Sequence, residues 1–238
     1  MKPRALFLHG GPGLNDYLGS LETELEPVFA VERYEQGKHL DVPAFVGEAL
    51  DRLRQRAWLV GHSWGGRLAF HVAAAAPGSV LGIVAIGSLG ALGDGGWEAT
   101  GPRMAERLTD EEREQLEGAA PGDRLRIVWP AYFSSREATP PFPPDLRGDP
   151  EVLQAIYAWL AERRDDPALA DALRELEQPV LLLHGEHDAI PVEGVLETVA
   201  LLRRGELRVL PGVAHFPWLE RPGLVRIETA EFLARSTS

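Results

Sequence analysis

The chain has 238 residues, enough for one sizeable hydrophobic core with a small appended element and too few for a tandem array of domains. Its 45% hydrophobic and 25% charged residues exclude a disordered or collagen-like chain. A formal charge of −12 opposes binding to nucleic acid or to an anionic membrane, and the absence of cysteine excludes disulfides, thiol nucleophiles and thiolate metal centres.

In chain order, the first apolar run is Ala5 to Leu8, cut off by His9 and a glycine cluster far short of a signal-peptide core. Further runs follow at Val28 to Tyr34, Ala57 to Val60, Val80 to Ile86, Val180 to Leu183 and Leu207 to Leu210. They lack polar alternation, which is the pattern of strands covered on both faces by helices. Amphipathic stretches at Pro43 to Arg56, Gly65 to Ala76, Pro191 to Arg203 and Arg221 to Arg235 alternate with them. The order predicts a doubly wound, mostly parallel α/β sheet with right-handed crossovers. No stretch reaches the roughly 20 apolar residues of a membrane span. The expectation is a soluble, cytoplasmic protein without a membrane or nucleic-acid partner, and no feature of the sequence specifies an oligomeric state.

The rhythm breaks between about Leu89 and Ala170. This stretch opens with Gly90, Gly93, Gly95 and Gly96, contains a proline-rich run from Thr139 to Pro144, and shows helical patterns at Thr109 to Gly118 and Pro150 to Arg164. Its sixteen acids against nine bases carry more than half of the net negative charge. The division expected is a core of residues 1–88 and 171–238 with a helical cap, residues 89–170, over a pocket at the carboxyl ends of the strands.

Three loops carry the chemistry. Gly61-His62-Ser63-Trp64-Gly65 stands between a buried strand and an alanine-rich helix, the setting a G-x-S-x-G nucleophile elbow requires. A serine hydroxyl needs a general base, and the base needs an orienting carboxylate. Asp188 follows the strand Val180 to Leu183, His215 follows the strand Leu207 to Leu210, and both loops open on the same sheet edge as Ser63. The chain order Ser63, Asp188, His215 matches an α/β-hydrolase triad. His9-Gly10-Gly11-Pro12-Gly13 follows the first strand; there the Gly11 N–H, together with that of Trp64, is placed to bind the oxyanion formed during acyl transfer.

With these motifs the chain resembles the α/β-hydrolase serine enzymes throughout its core, and is similar to the proline iminopeptidase branch through HGGPG at 9–13 and Ser-Trp-Gly-Gly at 63–66. The resemblance implies Ser63 as nucleophile, His215 as acid/base, Asp188 as its orienter, and Gly11 and Trp64 as oxyanion donors. It also implies a helical cap whose acids hold a substrate's free amino group, with Glu98, Glu137, Asp145, Asp149 and Glu151 as candidates. The chain departs from the branch at His62, where a glycine is common, in its short cap, and in starting almost directly at the HGGPG strand without a leading strand pair.

The function expected is hydrolysis of a small amide or ester through an acyl-enzyme on Ser63. Removal of an N-terminal proline from a short peptide is the leading case, and a small carboxylic ester or lactone is the alternative. A non-catalytic ligand receptor on the same fold is the reading from another class. No cofactor is expected, nor a metal, since His184, His187 and Asp188 do not have the spacing of a ligand face. His9 and His62 are expected as packed or hydrogen-bonded supports and His71 as structural, while Trp129, Tyr132, Phe133, Tyr157 and Trp159 are core or pocket lining.

Overall fold

The computed structural model describes residues 1–164 and 166–236. Six strands, β1 (Arg4–Leu8), β2 (Ala30–Arg33), β3 (Ala57–His62), β4 (Val80–Ile86), β5 (Val180–Gly185) and β6 (Gly205–Leu210), form a sheet in the order β2-β1-β3-β4-β5-β6. Every neighbouring pair is parallel. Among the described residues eleven α-helices accompany the sheet: α1 (Gly19–Leu25), α2 (Val42–Arg52), α3 (Trp64–Ala75), α4 (Trp97–Arg107), α5 (Asp110–Gly118), α6 (Arg124–Val128), α7 (Pro150–Glu162), α8 (Pro167–Glu175), α9 (Val192–Leu201), α10 (Pro217–Glu220) and α11 (Leu224–Ser236). This is the α/β-hydrolase fold.

The four central strands are apolar through their middles because both faces are covered, whereas the edge strands β2 and β6 carry Glu32, Arg33, Glu206 and Arg208. Alternate side chains serve two cores: Leu6, Leu8, Leu59, Ile83 and Leu182 pack with Phe45 of α2 and Phe70 of α3, whereas Phe7, Trp58, Val60, Val84 and Leu183 pack with Leu21 of α1 and Phe232 of α11. Each fully buried large side chain of this kind is worth ~1.5–3 kcal/mol relative to exposure. The edge strand β2 is shorter than the run from Val28 predicts. Val28 and Phe29 turn back onto the Leu25 carbonyl instead, with Phe29 sealing the core. Its exposed side is guarded by charge, Arg4 with Glu32 and Arg33 with Glu22, which discourages pairing with another chain.

Between β4 and β5 the described residues hold helices and no strand of the sheet. These helices start on local signals. Thr109 and Glu112 form a reciprocal capping box for α5, Asp149 caps α7 ahead of Pro150, and Asp166 caps α8 ahead of Pro167. Helix α4 carries Gly101 and Pro102 in its interior, and both hid it from the sequence pattern. The segment is tied to the loops of the core: Leu14 bridges Gly148, the Asp149 N–H donates to the Gly13 carbonyl at 2.9 Å, and the His215 N–H donates to the Tyr132 carbonyl at 3.0 Å. Among the described residues no helix is long and apolar enough to cross a membrane.

Candidate active site

Ser63 sits between the last residue of β3 and the first of α3, with φ 56° and ψ −121°, the one positive φ of a non-glycine residue among the described residues. Such a conformation costs on the order of 1–3 kcal/mol and persists only where its surroundings enforce it. Here its N–H donates to the Ile86 carbonyl of β4 at 2.9 Å, and its carbonyl accepts from Gly66. The turn also brings α3 hard against β1. A Cβ on Gly65 would run into the Leu8 carbonyl, so the helix can start this close to the sheet only with glycine there.

Beyond β5 the chain turns through Asp188, whose amide bonds the Gly185 carbonyl, and beyond β6 it reaches His215. The two side chains meet, His215 Nδ1 lying 2.9 Å from Asp188 Oδ2, both buried. Burial pushes the Asp188 carboxyl up. The nearby imidazole charge, the hydrogen bond from His215 and the Ile190 N–H outweigh it and hold the carboxyl below its ordinary value. An ionised carboxylate only accepts, so Nδ1 of His215 carries a proton, and in the neutral ring Nε2 is the nitrogen with the free lone pair. Gly87, just past β4, lies against this pair: with φ +51°, a Cβ there would stand 3.1 Å from His215 Nδ1 and 3.2 Å from Asp188 Oδ2.

The loop after β1 is held from behind. Gln36 donates its backbone N–H to His9 Nε2 at 3.0 Å and its side-chain amide to the His9 carbonyl at 2.9 Å, and accepts from the Trp64 indole at 3.3 Å. His9 is therefore a support, as expected, and burial lowers its pKa. The Gly10 N–H is taken by Tyr17 Oη at 3.0 Å. Gly11 follows at φ +60°, and the Trp64 N–H opens α3, where an amide has no partner within its helix.

The other singled-out residues fall into place around this cluster. His62 is wholly buried, between Tyr17 and the His215 backbone. His184 donates Nε2–H to the Ile190 carbonyl, and His187 is exposed beside Glu186, so neither turns with Asp188 toward a common centre. The Tyr132 ring lies 5.1 Å from that of His215, and burial together with the Asp188 charge pushes its hydroxyl up to about 12. Trp129 and Phe133 are core, stacked around Phe216. The half-buried Tyr157 stacks on Trp97 at 4.0 Å, and Trp159 packs beside His71. His71 is half-buried on α3, its pKa lowered to about 3 by burial and then by the Arg67 charge.

None of the five acids proposed for an amine pocket is buried. Glu98 pairs with Arg164 on the surface, while Glu137, Asp145 and Glu151 are exposed. Asp149 caps α7 and pairs with Lys38 at 2.7 Å. The sequence placed them in this segment but could not show that a helix cap would claim Asp149, a surface arginine Glu98, and solvent the other three. Conversely, Tyr17 and Gln36 escaped notice, because neither belongs to a motif and each reaches the site only through the tertiary fold.

Comparison with known proteins agrees with this geometry. The chain is 27% identical over 185 residues to the pimeloyl-[acyl-carrier protein] methyl ester esterase of Nitrosomonas europaea, covering 72% of this chain and 69% of that protein. Among solved structures it superposes on VinJ with a TM-score of 0.73 at 22% identity, over 99% of this chain and 91% of that one. It also superposes on the proline iminopeptidase of Mycobacterium smegmatis, with a TM-score of 0.66 at 21% identity, over 98% of this chain and 90% of that one. The parallel sheet, the strained serine turn and the histidine–aspartate pair at the strand ends thus accompany a match of residues 5–227 to the alpha/beta hydrolase family model, and the chain is an enzyme belonging to that family.

Proposed function

We propose that the protein is a serine hydrolase of small neutral carboxylic esters, working through an acyl-enzyme on Ser63. His215 Nε2 takes the Ser63 proton as the hydroxyl attacks the ester carbonyl, and Asp188 stabilises the imidazolium. The N–H groups of Gly11 and Trp64 bind the oxyanion, and His215 returns the proton to the departing alcohol. A water activated by the same imidazole then releases the acid. This chemistry uses side-chain oxygen and nitrogen, backbone N–H groups and water. The segment 89–170 acts as a cap, contributing Tyr132 beside the base.

The observation that carries the ester reading over removal of an N-terminal proline is the disposition of carboxylates. An enzyme that selects a cationic amine needs a desolvated acid to pair with it. Among the described residues the one buried carboxylate is Asp188, already bound to His215. The half-buried acids of the 89–170 segment are committed as well: Asp94 accepts the amides of Gly96 and Glu98, Glu112 pairs with Arg136, and Asp149 and Asp166 cap helices. The esterase relative from Nitrosomonas europaea supports the same choice. The test compares p-nitrophenyl butyrate, proline p-nitroanilide and its N-acetyl form. Ester turnover is expected to dominate, with no gain from a free amine. Efficient cleavage of the free proline anilide, abolished by acetylation, would return the protein to the iminopeptidase reading.

A further inference from the structure

A chain of hydrogen bonds runs beneath the site from the loop after β1 to the loop after β6. The Gly10 N–H donates to Tyr17 Oη at 3.0 Å, and Tyr17 Oη lies 2.6 Å from His62 Nδ1. His62 Nε2 lies 2.9 Å from the carbonyl oxygen of His215. The partners set every proton. A carbonyl only accepts, so His62 Nε2 bears hydrogen and, in the neutral ring, Nδ1 accepts from the Tyr17 hydroxyl, whose oxygen is then free to accept from Gly10. Burial, followed by the repulsion of a nearby His215 charge, keeps the His62 pKa well below its ordinary value, which is the neutral state this arrangement requires.

The geometry leaves little slack. The His62 ring is wedged between those of His215 at 4.6 Å, Phe216 at 4.8 Å and Trp218 at 4.7 Å, and Tyr17 meets it edge-on at 5.7 Å. On the other side, a Cβ added to Gly10 would collide with Tyr17 Oη and stand 2.8 Å from Ser63 Cβ. Gly10 therefore lies tightly between the Tyr17 hydroxyl and the nucleophile. With the Gly10 N–H occupied, Gly11 is the next amide of the glycine loop that can face a reacting carbonyl.

We infer that Tyr17 and His62 are positioning residues that lock the oxyanion loop to the backbone of the general base, holding the Gly11 N–H and the His215 ring in register across Ser63. This rests on the reading of Ser63 as nucleophile and Gly11 as oxyanion donor. The device matters in the transition state. A donor displaced by a fraction of an ångström still admits substrate but binds the developing oxyanion poorly.

Tyr17→Phe removes one hydroxyl and retains the ring. For p-nitrophenyl butyrate, or for proline p-nitroanilide should that be the substrate turned over, kcat is expected to fall about 10- to 100-fold with KM within about threefold. A trifluoromethyl ketone, which adds to the serine as a tetrahedral oxyanion, should lose affinity by a similar factor. A role confined to stability would instead lower the melting temperature and leave kcat of the folded variant intact, and that result overturns the inference. So does a loss borne wholly by KM. His62→Gln keeps an N–H for the His215 carbonyl and should recover part of the activity lost in His62→Leu; equal activity of the two also overturns it, and this pair carries the test if Tyr17→Phe does not fold. A fluorophosphonate separates the two readings. If wild type is not labelled at Ser63 the serine mechanism falls, whereas labelled Ser63 with an unchanged kcat in Tyr17→Phe removes the positioning role alone.

Discussion

At the strand ends, His9, Gln36, His62, Asp188 and His215 are buried and bonded to one another or to the backbone of neighbouring loops. Among the described residues between β4 and β5 no charged side chain is buried: α5 buries none of its nine residues and stands on its capping box and on the Glu112–Arg136 pair. The difference shows how the two regions tolerate change. A buried polar network is determined by many elements at once, so each member is costly to alter. A surface helix is determined locally, so most of its residues are replaceable at little cost.

The comparison can be broken most sharply at the proposed triad of Ser63, His215 and Asp188. Ser63→Ala and His215→Ala are each expected to lower kcat on the order of a million-fold while circular dichroism and the melting temperature show a folded protein. Asp188→Asn should be severe but less complete, because it upsets the histidine tautomer rather than removing the base. Retained turnover in either alanine variant would take that residue out of the mechanism.

Glycine-to-alanine exchanges test the backbone in the same two regions. Gly65→Ala drives a methyl group into the Leu8 backbone and should destabilise by more than about 3 kcal/mol in urea unfolding. Gly118→Ala, in the last turn of α5 with open space around it, should instead stabilise by about 0.5–1 kcal/mol. Opposite signs sharpen the contrast; a tolerated Gly65→Ala would mean that α3 can retreat from β1 and that the elbow is less constrained than its geometry implies.

A pH dependence between pH 7 and pH 5 is expected from the core, since no histidine lies within residues 89–170. His9, His62 and His71 all have pKa values lowered by burial. Below pH about 6.5 the unfolded chain takes up protons that the folded chain refuses, so stability is full above that pH and falls as the pH drops toward the folded values. For half-buried His71, with its pKa near 3, the contribution lost between pH 7 and pH 5 is about 1–2 kcal/mol. His71→Leu should flatten the pH slope of urea-unfolding free energy by that amount, and an unchanged slope would refute the assignment.

Much was legible in the residues themselves. Unbroken apolar runs marked the four central strands, because a strand covered on both faces has no solvent side on which to place polar residues, while the mixed runs Val28 to Tyr34 and Leu207 to Leu210 marked the edge strands β2 and β6. Gly61-His62-Ser63-Trp64-Gly65, the aspartate after β5 and the histidine after β6 were readable because glycine spacing and chain order are properties of the sequence, and a parallel sheet returns successive strand ends to one edge. Helices α1, α4, α6, α8 and α10 were not marked by the sequence pattern; α4 is masked by internal glycine and proline, and α10 is only four residues long. The tertiary structure alone decided which polar groups became partners. Tyr17 meets His62 across 45 residues and His62 meets the His215 carbonyl across 153, while of the acids suited by sequence to an amine pocket Asp149 was drawn to a helix cap, Glu98 to a surface arginine, and the rest stayed exposed. Periodicity and motif spacing record which face a residue presents, but hydrogen-bond partnership depends on where distant segments converge, and only the packed chain sets that.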